Sequence, residues 1–315
     1  MYHLTGMGHI LYDIRSYVEE FPKPDKSVKI IGKIKYSVGG SATNVVCNIS
    51  KMGAKTNLIG KIGFDDNGRY ILNSLKELNV NTDSIIISKE GSSGISIIII
   101  NKMGEPVIVE MLGVNEPLLE SDIDYKPIDR SKHIHFSGTT TKTLERISEY
   151  VKKQGKSLSF DPGRAISSFG FNRLKNIFKN SDILFINRKE CSSILGLDVV
   201  HFEKAFDLLT KKLPDKTIVI KGGKMDTMVY DKGKKFSAST IPVKIVDTIG
   251  AGDAFCAGWI YSFIKGNDSE ESARFANACG ALKVIKEGAS GLPFKKDIMK
   301  FYEKNKDRIR IKELK

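Results

Sequence analysis

The chain has 315 residues, 41% hydrophobic and 28% charged, with 50 Lys and Arg against 37 Asp and Glu and a formal net charge of +13. This length can bury a large core in one or two α/β domains, and the composition excludes a disordered or fibrous chain. No apolar run reaches the ~18–20 residues of a membrane helix, the start Met1-Tyr-His-Leu-Thr-Gly6 carries no secretory signal pattern, and the scattered Cys47, Cys191, Cys256 and Cys279 form no CxxC pair, so a reducing cytoplasm is expected.

In chain order, residues 4–11 read as a first strand. Residues 28–38 alternate strictly, with Val28, Ile30, Gly32, Ile34, Tyr36 and Val38 on one side and mostly Lys on the other. Residues 41–52 predict a helix that turns Val45, Val46, Ile49 and Met52 inward and ends at Gly53. A strand over 55–62 and a helix over 67–78 follow, then strands over 84–112 with a turn at 101–104. Strand and helix then alternate: strand 133–136, helix 142–153, strand 157–160, helix 171–178, strand 183–186, helix 202–212, strand 217–220. Helices over 251–264, 269–286 and 295–304 close the chain. This alternation predicts a mostly parallel sheet with helices on both faces. The strands of 28–38 and 84–112 break the rhythm and show the alternation of strands with one wet face. They are expected to project as a small sheet, serving as a lid, a dimer clasp or both.

The lysines are spread along the chain, and no basic helix is interleaved with aromatics. The charge therefore reads as a solvated surface that favours anionic ligands such as nucleoside triphosphates, rather than as a nucleic-acid face.

Four stretches carry chemistry. In Asp247-Thr-Ile-Gly-Ala-Gly-Asp253 a glycine loop opens a helix, so the N–H groups of Gly250, Ala251, Gly252 and Asp253 can face an anion. A carboxylate in that place is suited to taking a proton from an attacking hydroxyl, which points to phosphoryl transfer to an alcohol; an ordinary helix start is the plainer alternative. Gly39-Gly40-Ser41-Ala42-Thr43-Asn44 lets a small polar ligand approach the backbone, and Asn44 offers both donor and acceptor, as sugar hydroxyls require. Asn187 and Glu190, after a parallel strand, share a helix face and can organise water around Mg²⁺, or simply cap the helix. Lys221-Gly-Gly223 follows the next strand as a nucleotide-proximal loop or a turn. No GxxxxGK[ST], GxSxG or HExxH motif is present, and Gly6-Met-Gly8 fails the GxGxxG fingerprint at Leu11.

Taken together, these residues resemble the ribokinase family, the PfkB-type carbohydrate kinases, over essentially the whole chain. The resemblance implies a single three-layer α/β/α ribokinase-like domain over 1–315, with a mostly parallel central sheet and a β lid from approximately 14–38 and 84–112. It implies transfer of the ATP γ-phosphate to a primary hydroxyl with Mg²⁺, Asp253 acting as base and Gly250, Ala251 and Gly252 as anion hole. Asp13, Gly39, Gly40 and Asn44 match substrate-binding positions, and Arg164 in Asp161-Pro-Gly-Arg164 should face the crevice. Asn187 and Glu190 match the phosphate–Mg²⁺ motif, Lys221 and Gly223 a nucleotide loop, and Asn277 the adenine wall. Some relatives bind a monovalent cation such as K⁺ near Asp247 and residues 288–291. The acceptor reads best as a neutral sugar, with a nucleoside as alternative and a non-catalytic sugar or nucleotide sensor as a different class. A homodimer through the lid is the expected assembly.

Overall fold

A sheet that is apolar on both faces organises the chain in the computed structural model, which describes residues 1–285 and 291–314. Its elements run β1 (Tyr2–Gly8), β2 (Leu11–Val18), β3 (Ile30–Gly39), α1 (Ser41–Lys51), β4 (Thr56–Gly63), α2 (Asp66–Glu77), β5 (Val80–Asn81), β6 (Ile85–Ser88), β7 (Gly94–Ile100) and β8 (Pro106–Met111). Next come α3 (Lys126–Asp129), β9 (Ser131–Ser137), α4 (Thr141–Lys153), β10 (Ser157–Asp161), α5 (Gly163–Ser167), α6 (Gly170–Asn180), β11 (Ile183–Asn187), α7 (Arg188–Ile194), α8 (Phe202–Lys212) and β12 (Thr217–Lys221). The last are β13 (Thr227–Asp231), β14 (Lys234–Ala238), α9 (Ala251–Ile264), α10 (Ser269–Val284), α11 (Lys295–Asn305) and β15 (Ile311–Glu313).

The main sheet has the order β15-β14-β13-β12-β11-β10-β9-β1-β4-β5, with β6 also on β4. It is parallel from β12 to β5 and antiparallel from β12 out to β15. Alternate residues of one strand feed two separate cores. Ile183 and Phe185 of β11 pack with α1, α9 and α10, around Trp259, while Leu184 and Ile186 pack with α4, α6 and α8, around Phe136 and Phe160. The result is the expected three-layer α/β/α arrangement with a mostly parallel sheet.

The glycines of β1 set the depth of one layer. A Cβ on Gly8 would lie 2.8 Å from that of Ala42, and one on Gly6 would overlap Val46, so α1 lies against β1 only because both are glycine. Gly8 also leaves room for the Ser137 carbonyl of β9, which a Cβ there would overlap.

A second, four-stranded sheet has the order β3-β2-β7-β8, with β2 parallel to β7 and the outer pairs antiparallel. Three details differ from the sequence reading. The strand expected over 4–11 is two: after Gly8 the N–H of His9 turns to the Gly138 carbonyl at 2.8 Å, and the chain leaves for the second sheet. Within 84–112, Ile85–Ser88 joins the main sheet through β4, and only the later strands join the small one. The stretch 227–238, given no strand by its sequence, is a hairpin around Lys232 (φ 47°) and Gly233 (φ 106°) that widens the main sheet. Its two strands are only five residues each, and the lysines clustered at 232, 234 and 235 masked the pattern.

Along the strands, β3 shows why alternation misleads at a sheet that stands away from the core. Ile30, Ile34 and Tyr36 are as exposed as the lysines between them.

Two histidines sit in the middle of the main sheet. His133 and His135 of β9 are fully buried, held by Ser157 at 2.7 Å and Ser159 at 2.8 Å. Burial pushes His133 down to about 3 and His135 to about 4. Both are neutral in the fold, whereas the unfolded chain binds protons below about pH 6.5. Their contribution is therefore fully present above about pH 6.5 and is lost as pH falls toward the folded values, by at most ~1.4 kcal/mol per pH unit for each. Urea unfolding at about pH 6.5 and pH 5 should show this loss, and His135→Gln should make it smaller; an unchanged difference in that variant would refute the assignment.

Candidate active site

The functional residues meet where the parallel strands of the main sheet end and the small sheet begins. The small sheet contributes one polar face. Asp13 and Arg15, two apart on β2, point the same way, and strand register puts Ser96 and Glu110 beside Asp13. Asp13 lies over the end of β3, where a Cβ on Gly39 would collide with its carboxylate. Gly40, at φ 97°, turns the chain into α1, and a Cβ there would overlap the His9 carbonyl. The two glycines therefore make room for Asp13 and for the turn.

One turn into α1, Asn44 donates from Nδ2 to Asp253 Oδ2 at 2.7 Å, while its buried Oδ1 has no protein partner. Asp253 stands in the first turn of α9. That helix opens at Gly250, whose φ of 76° is left-handed. Among the described residues the N–H groups of Gly250, Gly252 and Asp253 have no backbone acceptor, whereas Ala251 donates back to Thr248 at 3.2 Å. The loop thus presents bare amides at the positive end of a 14-residue helix.

Next to it, the ends of three strands form a charged cluster. Lys221 of β12 donates from Nζ to Asp161 Oδ2 of β10 at 2.5 Å, and both side chains are largely buried. The same Nζ lies by Gly252, 3.8 Å from where a Cβ would stand. At the end of β11 Asn187 and Glu190 form a reciprocal cap: Asn187 N–H donates to Glu190 Oε2 at 2.8 Å and Glu190 N–H to Asn187 Oδ1 at 2.9 Å. Arg164, exposed on α5, acts on Glu190 rather than on Asp13, so it belongs to this side of the site. Asn277 is buried in α10, and its amide ties that helix to Thr227 and to the carbonyls of Ala238 and Ser239. Gly223 follows β12 at φ 66°.

Crowding of carboxylates sets the electrostatics. Burial pushes Asp13 up to about 7, against the pull of Arg15 and with the push of Glu110 and Asp253. Burial also raises Asp253 to about 6, although Asn44 and Ser41 bond its charged form. Glu190 is raised by burial, while Lys221 lowers it. Burial alone would lower Lys221, but Asp161, Cys256 and Glu190 together hold it above the usual lysine range.

Among the described residues, no three His, Cys, Asp or Glu side chains come together to hold a metal ion by themselves. A Mg²⁺ here would depend on its ligand's phosphates and on water. Asp247 accepts from Arg15 Nη1 at 2.6 Å on Oδ2, from the Ile249 N–H at 2.8 Å on Oδ1, and from Lys283 Nζ at 3.0 Å on its carbonyl. The rest of the expected cation stretch, 288–290, lies outside the described residues.

Asp161 and Lys283 went unassigned in the sequence reading. Asp161 had a signal: it ends a parallel strand in the same way as Asn187 and Lys221. Lys283 had none, because a lysine in a helix reads as surface. Two surface cavities, one lined by Arg274, Tyr302 and Arg310 and one by Lys61, Ser92 and Pro117, contain none of these residues.

Removing one partner of the buried Lys221–Asp161 pair leaves the other uncompensated. Lys221→Met should cost about 3–5 kcal/mol of stability. The added change Asp161→Asn should restore more than half of it, as read by urea unfolding; strictly additive losses would contradict direct pairing.

Comparison with known proteins identifies the family and the fold. The pfkB family carbohydrate kinase model matches residues 1–296. The ATP-dependent ribose-1-phosphate kinase of Halopiger xanaduensis is 29% identical over 293 residues, covering 93% of this chain and 95% of that protein. The nucleoside kinase of Methanocaldococcus jannaschii is 27% identical over 312 residues, covering 97% and 98%. Arabidopsis thaliana ribokinase, solved with ribose and ATP, superposes with a TM-score of 0.82 at 23% identity, covering 96% of this chain and 99% of that one. A glycine-opened helix with a carboxylate in its first turn, a facing Gly-Gly-Ser-Ala-Thr-Asn helix start and a family match across nearly the whole length lead to one conclusion: the chain belongs to the pfkB carbohydrate kinase family.

Proposed function

We propose that the chain transfers the γ-phosphoryl group of ATP to a primary hydroxyl of a neutral sugar, with Asp253 as general base. The observation that carries this reading is the placement of the Asp253 carboxylate, raised to about 6 and fixed by Asn44, beside the bare amides that open α9. Family membership supports ATP-dependent phosphorylation of a sugar or nucleoside; the roles below rest on the geometry.

Asp13, Gly39, Gly40 and Asn44 bind and orient the acceptor. As its oxygen attacks the γ-phosphorus and the bond to ADP breaks, the hydroxyl proton passes to Asp253. The amides of Gly250 and Gly252, with the Lys221 ammonium beside them, stabilise charge on the transferring group. Ala251 adds its amide only if it gives up Thr248. Glu190 and Asn187 would order the water around a Mg²⁺, which would supply charge neutralisation at the phosphates of bound ATP. Arg164 and Gly223 face the nucleotide side, and Asn277 shapes the wall toward the base by bracing β13 and β14. The polar face of the small sheet, closing as a lid, excludes the water that would compete as acceptor.

The carboxylates around Asp13 favour a neutral polyol. A phosphorylated acceptor is the second reading, favoured by Lys35, which pairs with Arg15 in register and shares its face, and by the ribose-1-phosphate kinase relative. A nucleoside is the third, on the strength of the nucleoside kinase relative. The four free cysteines, all buried, suit the reducing cytoplasm.

An ADP-release screen over ribose, fructose, ribose 1-phosphate, adenosine, cytidine and inosine separates these readings, and no turnover on any of them would favour a sensor. With the active acceptor, Asp253→Asn should lower kcat by about 10²–10⁴-fold with little change in acceptor binding. In the native protein kcat/KM should fall as pH drops through about 6, because the base is then protonated. Near-normal turnover of the variant would sink the assignment.

The lid's other face supports the homodimer. Tyr36, Ile97, Val107, Val109 and Met111 lie together there and are 43–58% exposed. An apolar sheet face of this kind is rarely left in water. Light scattering should find a dimer, and Val109→Lys should convert it to monomer; a native monomer at micromolar concentration would refute the clasp.

A further inference from the structure

Asp247 sits at the base of the loop that opens α9, only 4% exposed, and two cations are buried with it. Arg15 of β2 is 1% exposed and Lys283 of α10 is 0% exposed. Each oxygen that Asp247 offers already accepts a proton donor: Oδ2 takes Arg15, Oδ1 takes the Ile249 N–H, and the carbonyl takes Lys283 Nζ at 3.0 Å. The same ammonium lies 3.8 Å from Oδ2. The main chain fixes this contact, since Val246 and Asp247 both donate to the Val284 carbonyl, at 2.7 and 3.1 Å, and so hold the end of α10 against the loop.

An ammonium on a carbonyl and a carboxylate makes the contacts that a potassium ion would make, with similar size and the same charge. A second cation touching Asp247 would stand beside the Arg15 guanidinium and the Lys283 ammonium, which burial lowers to about 8 against the pull of Asp247, inside the protein where screening is weak. Among the described residues, the surroundings of Asp247 therefore do not fit the monovalent metal ion that some members of the family bind near this aspartate.

We infer that the Lys283 ammonium is the resident cation of the loop before α9, and that turnover needs no monovalent metal ion. Lys283 acts as a positioning residue. It clamps Asp247 while Ile249 and Gly250 are turned into the helix start, and its field reaches Asp253. Arg15 extends the same cluster to the small sheet.

The inference rests on the kinase reading for its activity test but not for its binding test. ADP release by the native protein should change by less than about twofold between choline chloride and KCl at matched ionic strength of about 100 mM. The melting temperature should be equal in the two salts. Lys283→Met should lose about tenfold or more in kcat, and KCl or NH₄Cl should restore part of the activity and raise the melting temperature over choline chloride. Lys283→Arg keeps the charge and should remain indifferent to the salt.

Stimulation of the native protein by KCl of about tenfold or more, or a K⁺-specific rise in its melting temperature, would overturn the inference. So would a Lys283→Met variant that is fully active and blind to K⁺. If Lys283→Met does not fold, the native protein and Lys283→Arg still decide. If no acceptor is phosphorylated, the kinase reading fails, and the melting experiments test the cation assignment alone.

Discussion

Four carboxylates, Asp13, Asp161, Glu190 and Asp253, are gathered at one end of the sheet, and their mutual repulsion is the constraint that the site is built to manage. Burial raises three of them, and the cluster would not stay charged without fixed cations. Lys221 answers for Asp161 and Glu190, and Arg15 for Asp13. Asp253 is left with two hydrogen bonds to its charged form, from Asn44 and Ser41, and, among the described residues, no ion pair within contact distance, only the field of Lys221. The two carboxylates are thus held differently: Asp161 lies on an ammonium, while burial raises Asp253 to about 6.

The same balance joins the small sheet to the main one. Arg15 leaves the polar face of β2 and ends on Asp247, so the strand that carries Asp13 is tied to the loop that carries Asp253. That tie sets where Asp13 stands relative to Asp253. The two faces of the small sheet differ in chemistry: one carries Asp13, Arg15 and Glu110, the other Ile97, Val109 and Met111.

The sequence made the large pattern legible because periodicity survives in the parallel core. Strands such as Ile183–Asn187 are continuously apolar, and helices such as α4 turn one stripe inward. It failed where strands are short or stand away from the core. Lysines hid the hairpin 227–238, and the exposed β3 carries alternation that no core enforces. The site was legible as motifs: Gly39-Gly40 with Asn44, Asn187 with Glu190, and Asp247 to Asp253 each suggested a local chemistry without its partner.

The sequence by itself determined the fold class, the family and the residue types of the chemistry, because glycine turns, helix starts and strand ends are local events that a short stretch specifies. Only the tertiary structure decided who answers whom: Asn44 on Asp253, Lys221 on Asp161, and Lys283 with Arg15 on Asp247. Those pairs span 36 to 232 positions of chain. A lysine's charge reads the same in any helix, and it becomes a site element only when packing takes it out of water and sets it against one particular oxygen.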